Sequence, residues 1–416
     1  MPLLIFEDEH VSRLYPVTVG RPAYAISVGS YRLIDRLLAW NEELTTVVRP
    51  HLRAVEQADY ALAARGGAGD GLVLAVNARL VPSAEAIKQL RAIYEARNIG
   101  VVRTGDAIAA ALLPQDMRPP AEEVDAAMLV RHLGDLRLPS LVTPGQDYEL
   151  PLLDYPHDII RYHMRTLRGN LDERLHLGTY QEIADGVFAA PGATLGQYAV
   201  TDTKAGPILL EENARIGPHC YLSGPAHLGP KARIIEHSAI KDGVALGHTT
   251  KIGGEIEASI IEPYTNKQHY GFLGHSYLGS WINMGAGTCN SDLKNTYGQV
   301  NMEYNGRKVP TGMQFVGVIV GDYAKTAINT GIFTGKTIGV CSMVYGFVTT
   351  NVPSFVNYAR LFGQVTETPV DVMVATQARM FERRNVTQRP CDVQLLHAMY
   401  ELTRHERQLA GEPLSL

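Results

Sequence analysis

Leu210, Ile216, Leu222, Leu228, Ile234, Ile240, Leu246 and Ile252 follow one another at intervals of six residues. An amphipathic α-helix does not produce that spacing, because 3.6 residues per turn never bring a period of six onto one stripe. The fourth residue after each anchor is small or β-branched: Ala214, Cys220, Ala226, Ala232, Ser238, Val244 and Thr250. Glycine directly follows several anchors, at Gly217, Gly229, Gly247 and Gly253. The register shifts, resumes at Phe272, Leu278 and Met284, and resumes again at Val320, Thr326, Ile332, Ile338 and Val344. A hexapeptide β-helix satisfies this pattern. Each short strand turns one large aliphatic inward, a small residue fills the corner, and stacked coils build one elongated apolar core. The period does not set the hand of the coil, and ordinary crossover sterics favour a right-handed turn.

The rest of the chain has a different texture. Leu3–Phe6 and Gly71–Val76 read as short apolar strands, and Ala84–Arg97 as a helix capped after Pro82-Ser83. Strands alternating with helices predict a mostly parallel α/β sheet over residues 1–155. Asp158–Arg174 carries Ile, Met and Leu at helical spacing, which predicts a helical linker over 156–180. The β-helix is then expected over 181–365. A helical tail is expected over 366–416, with Leu395, Leu396, Met399 and Leu402 on its apolar face.

Composition narrows the function. Thirty-eight basic against 43 acidic residues give a net charge of -5, against the clustered positive charge that nucleic acids or anionic membranes demand. No apolar run reaches the roughly 18–20 residues needed to span a bilayer. The first residues lack the basic flank of a signal peptide. The four cysteines show no metal-ligand spacing, so no metal site is expected from them. A cytoplasmic protein binding small molecules, without nucleic-acid or membrane partners, is the expectation.

The repeat breaks over residues 264–295, YTNKQHYGFLGHSYLGSWINMGAGTCNSDLKN. His269, Leu273-Gly274, Asn283-Met284-Gly285-Ala286-Gly287-Thr288 and Asn290 resemble the acetyltransferase half of the bifunctional N-acetylglucosamine-1-phosphate uridylyltransferase/glucosamine-1-phosphate acetyltransferase family. The resemblance implies an acyl-CoA-dependent acyltransferase (acetyl-CoA or another acyl-CoA), a left-handed coil and a homotrimer. It makes His269 the general base, as a neutral imidazole suits proton removal near neutral pH. Asn283 and Asn290 would hold the acceptor sugar, and backbone N–H groups of a coil turn would meet the oxyanion. Phe272 stands where the family has Tyr, and Glu257-Ala258 where it has adjacent lysines. Glu257 is therefore a candidate for orienting the base or binding an amine, and Lys267 a candidate substrate contact. Lys325, Lys336 and Arg360 are the candidates for coenzyme A phosphates. Residues 291–314 leave the hexad and predict a loop or hairpin.

The N-terminal residues Ser12-Arg13-Leu14-Tyr15-Pro16-Val17-Thr18, Arg21-Pro22, Val28-Gly29 and Leu33-Ile34-Asp35 are similar to the opening of sugar-phosphate nucleotidyltransferases. That implies a nucleotidyltransferase-like (Rossmann-like) fold, with Arg13 and Arg21 near the substrate. The glycines of the phosphate cradle are replaced by Glu7, Asp8, Glu9 and His10, and the family's magnesium-binding Asp corresponds to Arg79. Mg2+ is thus expected only if this domain is catalytically active, while Arg79 could meet a sugar phosphate directly. Three readings stay open: an acyltransferase on an amino sugar, sugar phosphate or sugar nucleotide; a sugar-1-phosphate nucleotidyltransferase with a trimerising β-helix; and a non-catalytic sugar-nucleotide-binding or scaffold protein.

Overall fold

The computed structural model describes residues 2–60, 71–117, 126–141 and 148–409; residues 410–416 of the expected tail lie outside them. The chain divides into two compact units, Met1–Leu14 with Arg21–Tyr155, and Tyr15–Gly20 with Pro156–Leu416.

In the first unit, β1 (Leu3–Phe6), β2 (Leu44–Val47), β3 (Leu72–Asn77), β4 (Gly100–Thr104) and β5 (Ala107–Pro114) form one sheet in the order β2-β1-β3-β5-β4. β1 pairs in parallel with β2 and β3, whereas β5 runs antiparallel to both β3 and β4. Every residue of β1 is buried, as expected of a strand covered on both faces. Phe6, Val73, Ala75 and Ala111 belong to the core on one side of the sheet. The helix predicted after Ser83 spans Ala84–Ala96, and the Ser83 hydroxyl caps it by accepting from the Ala86 amide at 3.1 Å.

The second unit is a parallel β-helix. Its short strands stack into three ladders. One contains Arg215–Ile216, Arg233–Ile234 and Lys251–Ile252, another Ala226–Leu228 and Val244–Leu246, and the third Tyr221–Ser223, Ala239–Lys241 and Glu255–Glu257. All eight anchors of the first hexad run, and all seven small residues paired with them, are buried. The corners use residues with left-handed backbone; Lys231, Thr249, Tyr264 and Trp281 occupy one corner at φ between 59° and 62°. The Tyr264 and Trp281 rings stack there at 4.2 Å.

The resumed register fails at one anchor. Phe272 lies opposite Glu255 on the outward face, and its neighbour Leu273, opposite Ile256, is the residue that turns inward. The cause is a change in coil length. Ile234 pairs with Ile252 eighteen residues on, but Ile252 pairs with Lys267 after only fifteen. The expected hairpin is present as Asn301–Tyr304 antiparallel to Arg307–Pro310. The helix Pro156–Leu177 does not stand free as a linker: its Leu167 and Leu171 pack with Leu209 and Ala245 of the coil. The tail forms Val370–Glu382, Pro390–Leu402 and Arg404–Leu409, with Leu395, Leu396 and Met399 buried. Among the described residues no helix is long and apolar enough to cross a membrane.

Candidate active site

The shortened coil creates an unusual corner. Lys267 takes the position of an inward anchor, in register with Ile252, and its side chain is buried. Its Nζ donates to the Gly253 carbonyl at 3.0 Å and the His269 carbonyl at 2.7 Å. Burial pushes its pKa down to about 8. Lys267 is therefore a clamp inside the corner and not the substrate contact expected of it. Two residues on, the imidazole of His269 is exposed, with Nε2 3.1 Å from Gln268 Nε2. The backbones of successive coils approach closely here: Gly271 has φ 126°, and a Cβ on it would lie 2.2 Å from the Thr288 carbonyl oxygen.

Asn283 lies on the next coil, opposite Asn266 and, one coil further, Lys325. Its amide is exposed on the outward face, while the adjacent Met284 fills the core. No hydrogen bond joins it to His269 among the described residues. Asn290 differs. It is buried, its Oδ1 accepts from the Gly274 amide at 3.0 Å, and its Nδ2 donates to the carbonyls of Gly274 at 3.1 Å and Ser291 at 3.2 Å. Those bonds staple two coils together and leave no donor or open face for a sugar. The amides of Gly285, Gly287 and Thr288 are likewise spent, on Thr326, Tyr270 and Gly285 carbonyls, so those three N–H groups do not form the expected oxyanion cradle.

A second imidazole is held with more constraint. His275 Nδ1 lies 2.8 Å from Asp292 Oδ2, both side chains are largely buried, and the ring stacks on Phe315 at 5.1 Å. Its backbone is pinned on both sides, the amide donating to Glu257 O and the carbonyl accepting from Gly317. Gly274 makes the room, since a Cβ there would lie 2.3 Å from Asp292 Oδ2. A carboxylate on Nδ1 fixes the tautomer that presents Nε2 as a base. The motif segment contained Asp292, but nothing in its spacing marked it as a partner; the pairing depends on the loop closing back over the coil.

The other expected contacts are dispersed. Glu257 is half-buried on the outward face between Lys241 and Gly274, while neighbouring Glu255 pairs with Lys241 at 2.6 Å. Lys325 Nζ donates to the Tyr323 carbonyl at 3.0 Å, and burial brings its pKa down to about 8. Burial also lowers Lys336, partly countered by Glu303. Arg360 is exposed, bonded to Thr350 Oγ1 at 3.2 Å.

In the first unit the C-terminal ends of β1 and β3, the usual ligand side of a parallel sheet, carry a closed ionic cluster. Glu7 accepts from the Ala23 amide and from Arg49 at 2.9 Å. Arg79 is fully buried. Its Nε and Nη2 bind the Asp8 carboxylate at 2.7 Å each, and its Nη1 reaches the Leu153 carbonyl at 2.6 Å and Asp154 at 2.9 Å. That occupies most of the five guanidinium donors, so Arg79 is committed to Asp8 and Asp154 instead of a sugar phosphate. Burial raises the Asp8 carboxyl, but Arg79 and Asn77 outweigh it and hold the pKa below the ordinary value. The residues present do not fit magnesium, because the carboxylate that could bind it is bridged by a guanidinium. Arg13 is exposed, and Arg21 is half-buried with its carbonyl accepting from Arg49.

Residues 3–174 match the family model described as sugar nucleotidyl transferase. The chain is 28% identical over 142 residues to a bifunctional sugar-1-phosphate nucleotidylyltransferase/acetyltransferase of Sulfurisphaera tokodaii, covering 34% of this chain and 35% of that protein. It is 29% identical over 119 residues to the bifunctional protein GlmU of Methanococcus vannielii, covering 29% and 28% respectively. The matches thus span about a third of those relatives' length. A solved UDP-N-acetylglucosamine acyltransferase of Francisella novicida aligns over 56% of this chain and 79% of its own, with TM-score 0.35 and 16% identity.

Proposed function

We propose that this chain is a transferase acting on a phosphorylated or nucleotide-linked sugar, moving an acyl group from acyl-CoA to an amine or hydroxyl of the acceptor at the interrupted coil. The reading rests on one observation above others: an exposed imidazole, His269, follows a buried lysine clamp, and an outward Asn283 amide stands on the next coil. His269 takes the acceptor proton as the nitrogen or oxygen attacks the thioester carbonyl. The tetrahedral intermediate collapses, the carbon–sulfur bond breaks, and the imidazolium returns the proton to the departing thiolate. Asn283 orients the sugar. Exposed Arg360 and half-buried Lys336 would serve the phosphates of the donor, whereas Lys325 is held by the Tyr323 carbonyl. A cytoplasmic homotrimer accompanies this reading. The buried Arg79–Asp8 pair supports a sugar-binding or structural role for the first unit over nucleotidyl transfer.

One observation favours a second assignment of the base. His275 is oriented by Asp292, and His269 has no such partner among the described residues. Release of coenzyme A thiol from acetyl-CoA with a panel of amino sugars and sugar phosphates tests both. His269→Ala is expected to lose at least ~100-fold in rate and His275→Ala far less. The reverse order transfers the role to His275. Magnesium-dependent pyrophosphate release from a nucleoside triphosphate and a sugar 1-phosphate, without thiol release, refutes the acyltransferase reading.

A further inference from the structure

One outward column of the β-helix runs through Arg215, Arg233, Lys251, Asn266 and Asn283 in direct register. Rungs of a parallel ladder lie about 4.8 Å apart, and like charges directly opposite destabilise one another. Three successive rungs nevertheless carry a cation. Arg384, past the end of the helix Val370–Glu382, joins them from the side, its Nη2 donating to Asn266 Oδ1 at 2.6 Å, and Arg383 precedes it. Arg215, Arg233, Lys251, Arg383 and Arg384 make no ion pair among the described residues. Burial, then the charges of Arg384, Arg233 and Arg383, push Lys251 below the ordinary lysine range. The fold does not require this charge, because the inward neighbours Ile216, Ile234 and Ile252 supply the packing. In a chain of net charge -5, a column of uncompensated cations is a local exception.

We infer that this column binds the phosphate or diphosphate of the sugar substrate, with Arg233, Lys251 and Arg384 on the anion and Asn266 and Asn283 under the sugar. It lies on a different face from Glu255 and Glu257, whose carboxylates would repel a phosphate. From Arg233 to Asn283 the column spans three rung steps, roughly 14 Å, enough for an anion and a sugar ring end to end. The sugar part of this inference rests on the proposed transferase reading; the anion part does not.

Calorimetric titration of the full chain with inorganic pyrophosphate, N-acetylglucosamine 1-phosphate and uncharged N-acetylglucosamine tests it. The two anions are expected to bind, more weakly as salt rises, and the neutral sugar to bind at least ten-fold more weakly. Arg233→Gln and Lys251→Gln should each weaken both anions by ten-fold or more. Both variants should retain or exceed the wild-type melting temperature without ligand, since a like-charge neighbour is removed. Asn283→Ala should weaken only the sugar phosphate. Absence of anion binding, or equal binding by the Arg233→Gln/Lys251→Gln double variant, overturns the inference. So does a single-stranded oligonucleotide that displaces pyrophosphate at lower concentration than the sugar phosphate. Anion binding that depends on the column, in a protein that releases no thiol from acetyl-CoA, upholds the column and refutes the acyltransferase. Thiol release with an unchanged KM for phosphorylated acceptor in the double variant does the opposite.

Discussion

Replacing Lys267 by Met should change how the stability of the β-helix depends on pH. The amine is buried, and burial brings its pKa from the ordinary 10.5 to about 8. Between those values the unfolded chain holds a proton that the folded chain has lost, so stability rises with pH across that window and is flat below it. A difference of 2.5 units at 1.36 kcal/mol per unit gives about 3 kcal/mol. At pH 7 the Met variant escapes that cost but leaves the Gly253 and His269 carbonyls without their donor, at about 1–3 kcal/mol each. The two effects are of similar size, so wild type and Lys267→Met should lie within about 2 kcal/mol of each other at pH 7. At pH 10.5 the variant should be less stable by about 3 kcal/mol more than at pH 7. Urea unfolding of both proteins, followed by far-UV circular dichroism from pH 6.5 to 10.5, reads the difference. Lys325, also brought to about 8 by burial, contributes equally to both and cancels. A stability difference that stays constant over the whole range refutes the reasoning.

Arg79→Met strands the Asp8 carboxylate in the interior of the first unit and should destabilise that unit by about 3–5 kcal/mol, with Asp8→Asn/Arg79→Met recovering most of it in thermal unfolding. Because the Asp8 pKa is lowered on folding, the wild-type contribution is present above the ordinary carboxylate value and disappears as pH falls through the folded one; the double variant should lack that acid-side loss. Gly271→Ala places a Cβ 2.2 Å from a backbone carbonyl at φ 126° and should cost at least about 1–3 kcal/mol, lowering the melting temperature and acyl transfer together. With His269 as base, Asp292→Asn should change kcat/KM for acyl transfer by less than about ten-fold; a loss comparable to that of a base, ~100-fold or more, assigns the proton to His275.

The β-helix was legible because its demand on sequence is local and repeated. One aliphatic per strand and one small residue per corner suffice, and Leu210 to Ile252 obey that rule without exception. Legibility ended where the coil shortened. Past the fifteen-residue coil from Ile252 to Lys267 the inward residues Leu273 and Leu278 stand five apart instead of six, so Phe272 reads as core when Leu273 fills it. A lysine in an anchor position also looks like a surface residue, because only the three-dimensional corner supplies the two carbonyls that satisfy its ammonium. Asn290 shows the same limit: the motif names the residue, but the bonds to Gly274 that occupy its amide come from the coil beneath. In the first unit the acidic run at residues 7–9 signalled an altered phosphate cradle. Its partner was not legible, since Arg79 meets Asp8 only through the adjacency of β1 and β3.

Incubating the purified chain with acetyl-CoA and a panel of amino sugars, sugar phosphates and sugar nucleotides, while following free thiol, decides whether the interrupted coil transfers acyl groups. Thiol release is expected to need one of these acceptors and to fall at least ~100-fold in His269→Ala. An acceptor-independent trace, or a His269→Ala protein that turns over as fast as the wild type, contradicts it.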